Sequence, residues 1–226
     1  MNREKEIQEA AKAIEKAKMM SLDNSVWYKI AAGYLYSAGF CNIQTFSEEF
    51  FERAYKYVAK WHGRAEEEKD NEYAWGMRSV CTSVKSKIDE MVKEPLIREA
   101  TEKEKQIAEM ARIIHFCACG TELHNDDTCA DCSQTATNLL ALGYSNRFVF
   151  LNSFFETMKI YLKEEVERTK TQIHDDKDDA QYAVGKIYVC GRFEEKIKTL
   201  EEESQKELTD AELFLKRMFS NSKNSN

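Results

Sequence analysis

The chain nearly repeats itself. Glu4-Lys5-Glu6-Ile7, followed by Ala11 and Ile14, lines up with Glu104-Lys105-Gln106-Ile107, followed by Ala111 and Ile114, at an offset of 100 residues. Ala32, Leu35, Gly39 and Phe40 line up with Ala136, Leu139, Gly143 and Tyr144 at an offset of 104, as does Phe50-Phe51-Glu52 with Phe154-Phe155-Glu156. Tyr73-Ala74, Gly76, Val80-Cys81 and Lys87-Ile88 meet Tyr182-Ala183, Gly185, Val189-Cys190 and Lys196-Ile197 at 109. The offset grows only where polar stretches interrupt the apolar pattern, as insertions into loops would make it do. Any two amphipathic helices share Glu, Lys, Ala and Ile. A repeated Phe-Phe-Glu and Tyr-Ala-x-Gly-x-x-x-Val-Cys in the same order are harder to produce that way. The expected architecture is therefore one unit made twice, in residues 1–99 and 100–208.

The unit is expected to be helical. One proline and eight glycines in 226 residues are too few for the turns of a sandwich or barrel. Residues 3–19 carry Ile7, Ala10, Ala11, Ile14 and Ala17 at helical spacing, and Trp27 to Ala38 forms a second helix that Gly39 closes. Thr45-Phe-Ser-Glu48 has the form of a capping box opening a long aromatic helix through Phe50, Phe51, Tyr55, Tyr57 and Trp61. A fourth helix with Tyr73, Trp75, Val80, Val84 and Ile88 ends at Pro95, and Thr101-Glu-Lys-Glu104 starts the series again. Thr209-Asp-Ala-Glu212 reads as a last capping box, so 209–226 is expected to be a short helix with Leu213, Phe214, Leu215, Met218 and Phe219, then a frayed polar tail. The fold class is all-α, two tandem diverged units of about four helices each.

Only the second copy carries a cysteine cluster. Cys117, Cys119, Cys129 and Cys132 form two close pairs within residues 115–132, where the first copy has the shorter Met19-Met-Ser-Leu-Asp-Asn-Ser. Tetrahedral zinc needs four converging soft or borderline ligands, which two facing pairs supply. The expected cofactor is a structural Zn(II) held by these four sulfurs, and His115 or His124 can replace one of them. Four protein ligands leave no coordination position for a substrate or water, so the ion is a staple on a helix–helix connection.

The other chemistry-bearing patterns read as structure. There is no glycine-rich nucleotide loop, no nucleophile elbow and no His-Glu-x-x-His. Glu48-Glu49-x-x-Glu52 with Glu67-x-x-Asp70 resembles the carboxylate pair of the all-helical MazG-like nucleotide pyrophosphohydrolases. On one continuous helix Glu52 and Glu67 lie about 22 Å apart, too far to share magnesium, and only a break near Gly63 would bring them together. The run His174-Asp-Asp-Lys-Asp-Asp179 has the acids expected before a helix amino terminus. The aromatic residues of the third and fourth helices have core spacing, and the cysteine loop has Glu122, Asp126, Asp127 and Asp131 but no Lys or Arg, unlike a nucleic-acid-reading finger. A net charge of −7 argues against a general phosphate-binding surface. No apolar run reaches the roughly 20 residues of a membrane span. The charged amino terminus lacks a signal core, and clustered, odd-numbered cysteines suit a reducing cytoplasm.

The order Glu104-Lys-Gln-Ile-Ala-Glu-Met-Ala-Arg-Ile-Ile114, then cysteine pairs, then Ala136-Thr-Asn-Leu139 and Leu142-Gly143-Tyr144 resembles small helical proteins carried by phages and prophages of Gram-positive, often gut, bacteria. The resemblance covers about a fifth of the chain. It implies a mobile-element setting in a bacterial host cytoplasm. The expected function is non-enzymatic: binding and inhibition of a bacterial defence complex such as a CRISPR nuclease, in the manner of anti-CRISPR proteins, the acidic surface meeting a basic channel. The alternative is a zinc-stapled DNA-binding regulator or recombination accessory, which requires Lys159, Lys163, Arg168, Lys170 and Arg192 to cluster. A pyrophosphohydrolase is the third reading.

Overall fold

The computed structural model describes residues 3–17, 25–68, 71–93, 100–119, 128–172 and 177–221. Among them the chain is all-α apart from one pair of three-residue strands. The order is α1 (Arg3–Ala17), α2 (Ser25–Ser37), β1 (Phe40–Asn42), α3 (Ile43–Glu67) and α4 (Glu72–Lys93), then α5 (Ala100–Cys119), α6 (Ala130–Ala141), β2 (Tyr144–Asn146), α7 (Arg147–Thr171) and α8 (Lys177–Asn221). Helix, helix, strand, 25-residue helix, helix thus occurs twice. No helix among the described residues is long and apolar enough to cross a membrane.

The compact units are not the segments 1–99 and 100–208. One unit comprises Met1–Phe46, Leu96–Phe150 and Gln205–Asn226, the other Ser47–Pro95 and Leu151–Ser204. Each draws corresponding pieces from both halves of the chain. The physical reason lies in burial: one half supplies only one apolar face to each layer, and its partner face is supplied by the other half.

In the first unit the repeated residues form the core. Ile14 and Ile114, Ala32 and Ala136, and Leu35 and Leu139 are all essentially inaccessible, together with Met110, Ile113 and Cys132. β1 and β2 pair antiparallel, with Phe40 opposite Asn146, Cys41 opposite Ser145 and Asn42 opposite Tyr144. Two glycines make this pairing possible. Gly39 and Gly143 adopt φ of +93° and +87°, a region that side-chain-bearing residues enter at a cost. Their carbonyls then accept from the other half, Gly39 from the Arg147 N–H at 3.0 Å and Gly143 from the Ile43 N–H at 2.9 Å. The buried Gln106 carboxamide oxygen fixes β2 by accepting from the Ser145 hydroxyl at 2.6 Å and the Asn146 N–H at 3.0 Å.

Two capping assignments change. α3 begins at Ile43, and its cap is Asn42, whose side-chain oxygen accepts from the Thr45 N–H at 3.2 Å, so Thr45 lies inside the helix. Likewise Thr209 opens no new helix: α8 runs unbroken from Lys177 to Asn221, and the Thr209 hydroxyl donates to the Gln205 carbonyl one turn back. A threonine that bonds its own i−4 carbonyl is compatible with a helix interior. Phe214 and Leu215 pack on the first unit's core as the sequence suggests, while Leu213 is exposed. Pro95 and residues 222–226 lie outside the described residues.

The second unit contains α4 with parts of α3, α7 and α8. Its core holds Phe50 with Phe154, Phe51 with Phe155, Val58 with Leu162 and Val80 with Val189. Phe50 and Phe154 meet edge to face with ring centroids 4.8 Å apart, a favoured aromatic geometry. α4 and α8 approach until backbone meets backbone. A Cβ on Gly76 would lie 2.0 Å from the Tyr182 carbonyl oxygen, and one on Gly185 would lie 2.0 Å from that of Tyr73. The two contacts are reciprocal. They explain why a helix-disfavouring residue occupies both positions. Nearby, Lys186 and Glu165 form a buried ion pair at 2.7 Å, where the matching positions in the first half carry the apolar Trp61 and Met77.

Candidate metal centre

The site sits where α5 ends and α6 begins, within the first unit. α5 has no breaker between Ile107 and Cys119, so it stays helical through the first cysteine pair. On a helix, residues four apart share a face while residues two apart point to opposite sides. His115 and Cys119 therefore project together, and Cys117 cannot join them. Cys117 instead packs against the core, where burial pushes its thiol up to about 12.

The second pair comes from the start of α6. Cys129 occupies the cap position with extended φ and ψ of −65° and 153°, and Cys132 lies in the first turn, fully buried. Cys-x-x-Cys at a helix start brings both sulfurs to one side, since the cap residue folds back over the first turn. The result is a group of His115, Cys119, Cys129 and Cys132, one ligand atom from each lying within 4.8 Å of all the others. The Cys119 sulfur is 4.0 Å from both the Cys129 and Cys132 sulfurs. Tetrahedral zinc with Zn–S bonds near 2.3 Å sets its sulfurs about 3.8 Å apart, so the donor set fits the ion in number, softness and spacing.

Of the four sulfurs expected as ligands, Cys117, Cys119, Cys129 and Cys132, the structure thus brings three together and replaces Cys117 with His115. His124 lies outside the described residues. The signal for His115 was present in the sequence as a His-x-x-x-Cys spacing, legible only if α5 is known to continue to Cys119.

Local bonds hold the pocket in shape. The Cys129 N–H points at His115 Nδ1 from 3.5 Å, and the Thr128 and Ser133 hydroxyls bond at 2.9 Å beside it. Burial raises the Cys129 thiol, but hydrogen bonds from the Cys132 backbone N–H and from the Cys132 and Cys119 thiols outweigh it and hold the pKa below its ordinary value. Burial raises Cys119, reinforced by the neighbouring Cys129, and raises Cys132 further. Cys129 is therefore the sulfur most readily ionised, the form in which a thiol binds metal. The next turn is tied to α1, since the Asn138 amide donates to the Ala17 carbonyl at 2.9 Å.

Assigning the ligand by helix face gives a direct check. Cys117→Ser should retain one zinc per chain, whereas His115→Ala should weaken zinc by more than about 100-fold in chelator competition, beyond the range for residues that only support a ligand.

The other candidate patterns are dispersed. α3 is continuous through Gly63, so Glu52 and Glu67 stay on one helix about 22 Å apart, and Glu52 is exposed and bonded to Lys56 at 2.7 Å. The basic residues of α7 and α8 do not form a bare stripe. Lys159 pairs with Glu156 and Glu201, Arg168 with Glu165, Lys170 with Glu167, and Arg192 with Glu195. Of the aromatic set, Phe50, Phe51 and Trp61 are buried in the core, Tyr55, Tyr57 and Tyr73 are half-buried, and Trp75 is 51 % exposed. No protein-family model, curated protein or solved structure matches this chain.

Proposed function

We propose that this is a non-enzymatic binding protein built from two diverged copies of one helical unit, with a zinc ion stapling α5 to α6 of the second copy. Three thiolates and one imidazole complete a tetrahedron, so zinc bound there has no position for a substrate and acts on the fold. The binding reading is carried by charge. The chain has net charge −7, and four of its five candidate DNA-contacting cations are matched by carboxylates within the chain. Such a surface favours a basic partner and disfavours a phosphate backbone.

The concrete form of the proposal is a phage or mobile-element factor, acting in the bacterial cytoplasm, that occupies the basic nucleic-acid channel of a defence nuclease. Tagged full-length protein retrieved from a bacterial host at low salt should carry a nucleic-acid-binding complex, identified by mass spectrometry and released by competing duplex. Retention of naked duplex in a salt-dependent shift would favour the DNA-binding regulator instead. Magnesium-dependent release of pyrophosphate from nucleoside triphosphates would overturn the non-enzymatic reading.

A further inference from the structure

The second unit contains a cavity of about 490 Å³. Its floor is formed by Val84, Ile88, Phe154, Met158, Phe193 and Ile197, all buried residues of α4, α7 and α8. The volume falls within the range of roughly 300–1,000 Å³ typical of small-molecule sites. A floor of this kind offers water almost no hydrogen-bond partners, so solvent fills it poorly.

The mouth has the opposite character. Arg53, Lys56 and Lys60 recur at i, i+3 and i+7 along one stripe of α3, and Lys196 of α8 joins them, against the single acid Glu203. Lys56 is paired with Glu52, whereas Arg53, Lys60 and Lys196 have no carboxylate partner among the described residues. The repeat shows that this charge is specific to one copy. The positions of α7 matching Arg53, Lys56 and Lys60 are Thr157, Ile160 and Glu164. A cationic rim above an apolar floor is therefore a local property of this one cavity on an otherwise acidic chain.

We propose that this cavity binds a small anionic amphiphile, a linear alkyl chain ending in a carboxylate, with the chain in the cavity and the head group among Arg53, Lys60 and Lys196. Burying the alkyl chain supplies affinity in proportion to the area removed from water, and the rim selects the head group.

Dodecanoate, kept below its micellar concentration and titrated calorimetrically into the full chain, should bind saturably with one site per chain. Dodecan-1-ol should bind at least about tenfold more weakly, and the dodecyltrimethylammonium cation more weakly still. Arg53→Glu with Lys60→Glu, both at exposed positions, should cost dodecanoate at least about tenfold in affinity with an unchanged circular dichroism spectrum. Ala54→Trp should fill the cavity and abolish binding; if that variant does not fold, the charge-reversed pair decides the question. Absence of saturable dodecanoate binding, equal affinity for the three head groups, or charge reversal without effect would each overturn the proposal.

Discussion

Replacing Cys129 and Cys132 together with serine should remove stoichiometric zinc from the purified protein and lower its melting temperature by roughly 8–16 °C. The magnitude follows from linkage. A metal at about 1,000 times its dissociation constant adds about 4 kcal/mol to the folded state, and about 1 kcal/mol moves the midpoint of a chain this long by roughly 2–4 °C. Cys132 is also part of the first unit's core, so its hydroxyl replacement carries a packing cost of its own. Chelation separates the two effects. Strong chelator should lower the wild-type midpoint and leave that of the double variant unmoved, and Cys117→Ser should behave as wild type toward chelator. Metal content equal in wild type and double variant would sink the assignment.

Gly76→Ala should destabilise the chain by about 3 kcal/mol, near the upper end for an overpacked site, and lower its midpoint by roughly 6–12 °C. This contradicts helix propensity, by which alanine gains about 1 kcal/mol over glycine. The sign is set by the new Cβ, 2.0 Å from the Tyr182 carbonyl oxygen, a rigid backbone atom that cannot rotate away. Gly185→Ala should cost a similar amount, since its Cβ meets the Tyr73 carbonyl at the same 2.0 Å. Once α4 and α8 have moved apart for one methyl, the second meets less resistance, so the double variant should cost less than the sum of the singles. A methyl added at Gly33 or Gly63 would meet nothing within 4 Å, so alanine there should be neutral or stabilising, which makes them the internal control. Denaturant unfolding of the five variants checks all of this, and a stabilising Gly76→Ala would show that the close crossing is absent in solution.

The helices were legible because their signal is local. Ile14, Ala32 and Leu35 recur with Ile114, Ala136 and Leu139 at helical spacing, and all six are core. Gly39 closed α2 as expected and Gly143 does the same for α6, but the strands beyond them carry no local signal: three residues each are too few for an alternating pattern. Thr209 misled because a capping threonine and one bonded to its own i−4 carbonyl are identical in sequence, and Thr45 because the residue that caps α3 is Asn42, three positions earlier.

What the sequence determined alone is the inventory: helical segments, a repeated order of core residues, and one cluster of soft ligands. What the tertiary structure decided is the pairing. It drew each compact unit from both halves of the chain, and it chose His115 over Cys117 because α5 does not end until Cys119. Helix periodicity is written in neighbours three and four residues apart. Which apolar face meets which, and which side of a helix turns toward a distant Cys-x-x-Cys, depends on contacts a hundred residues apart that no local pattern encodes.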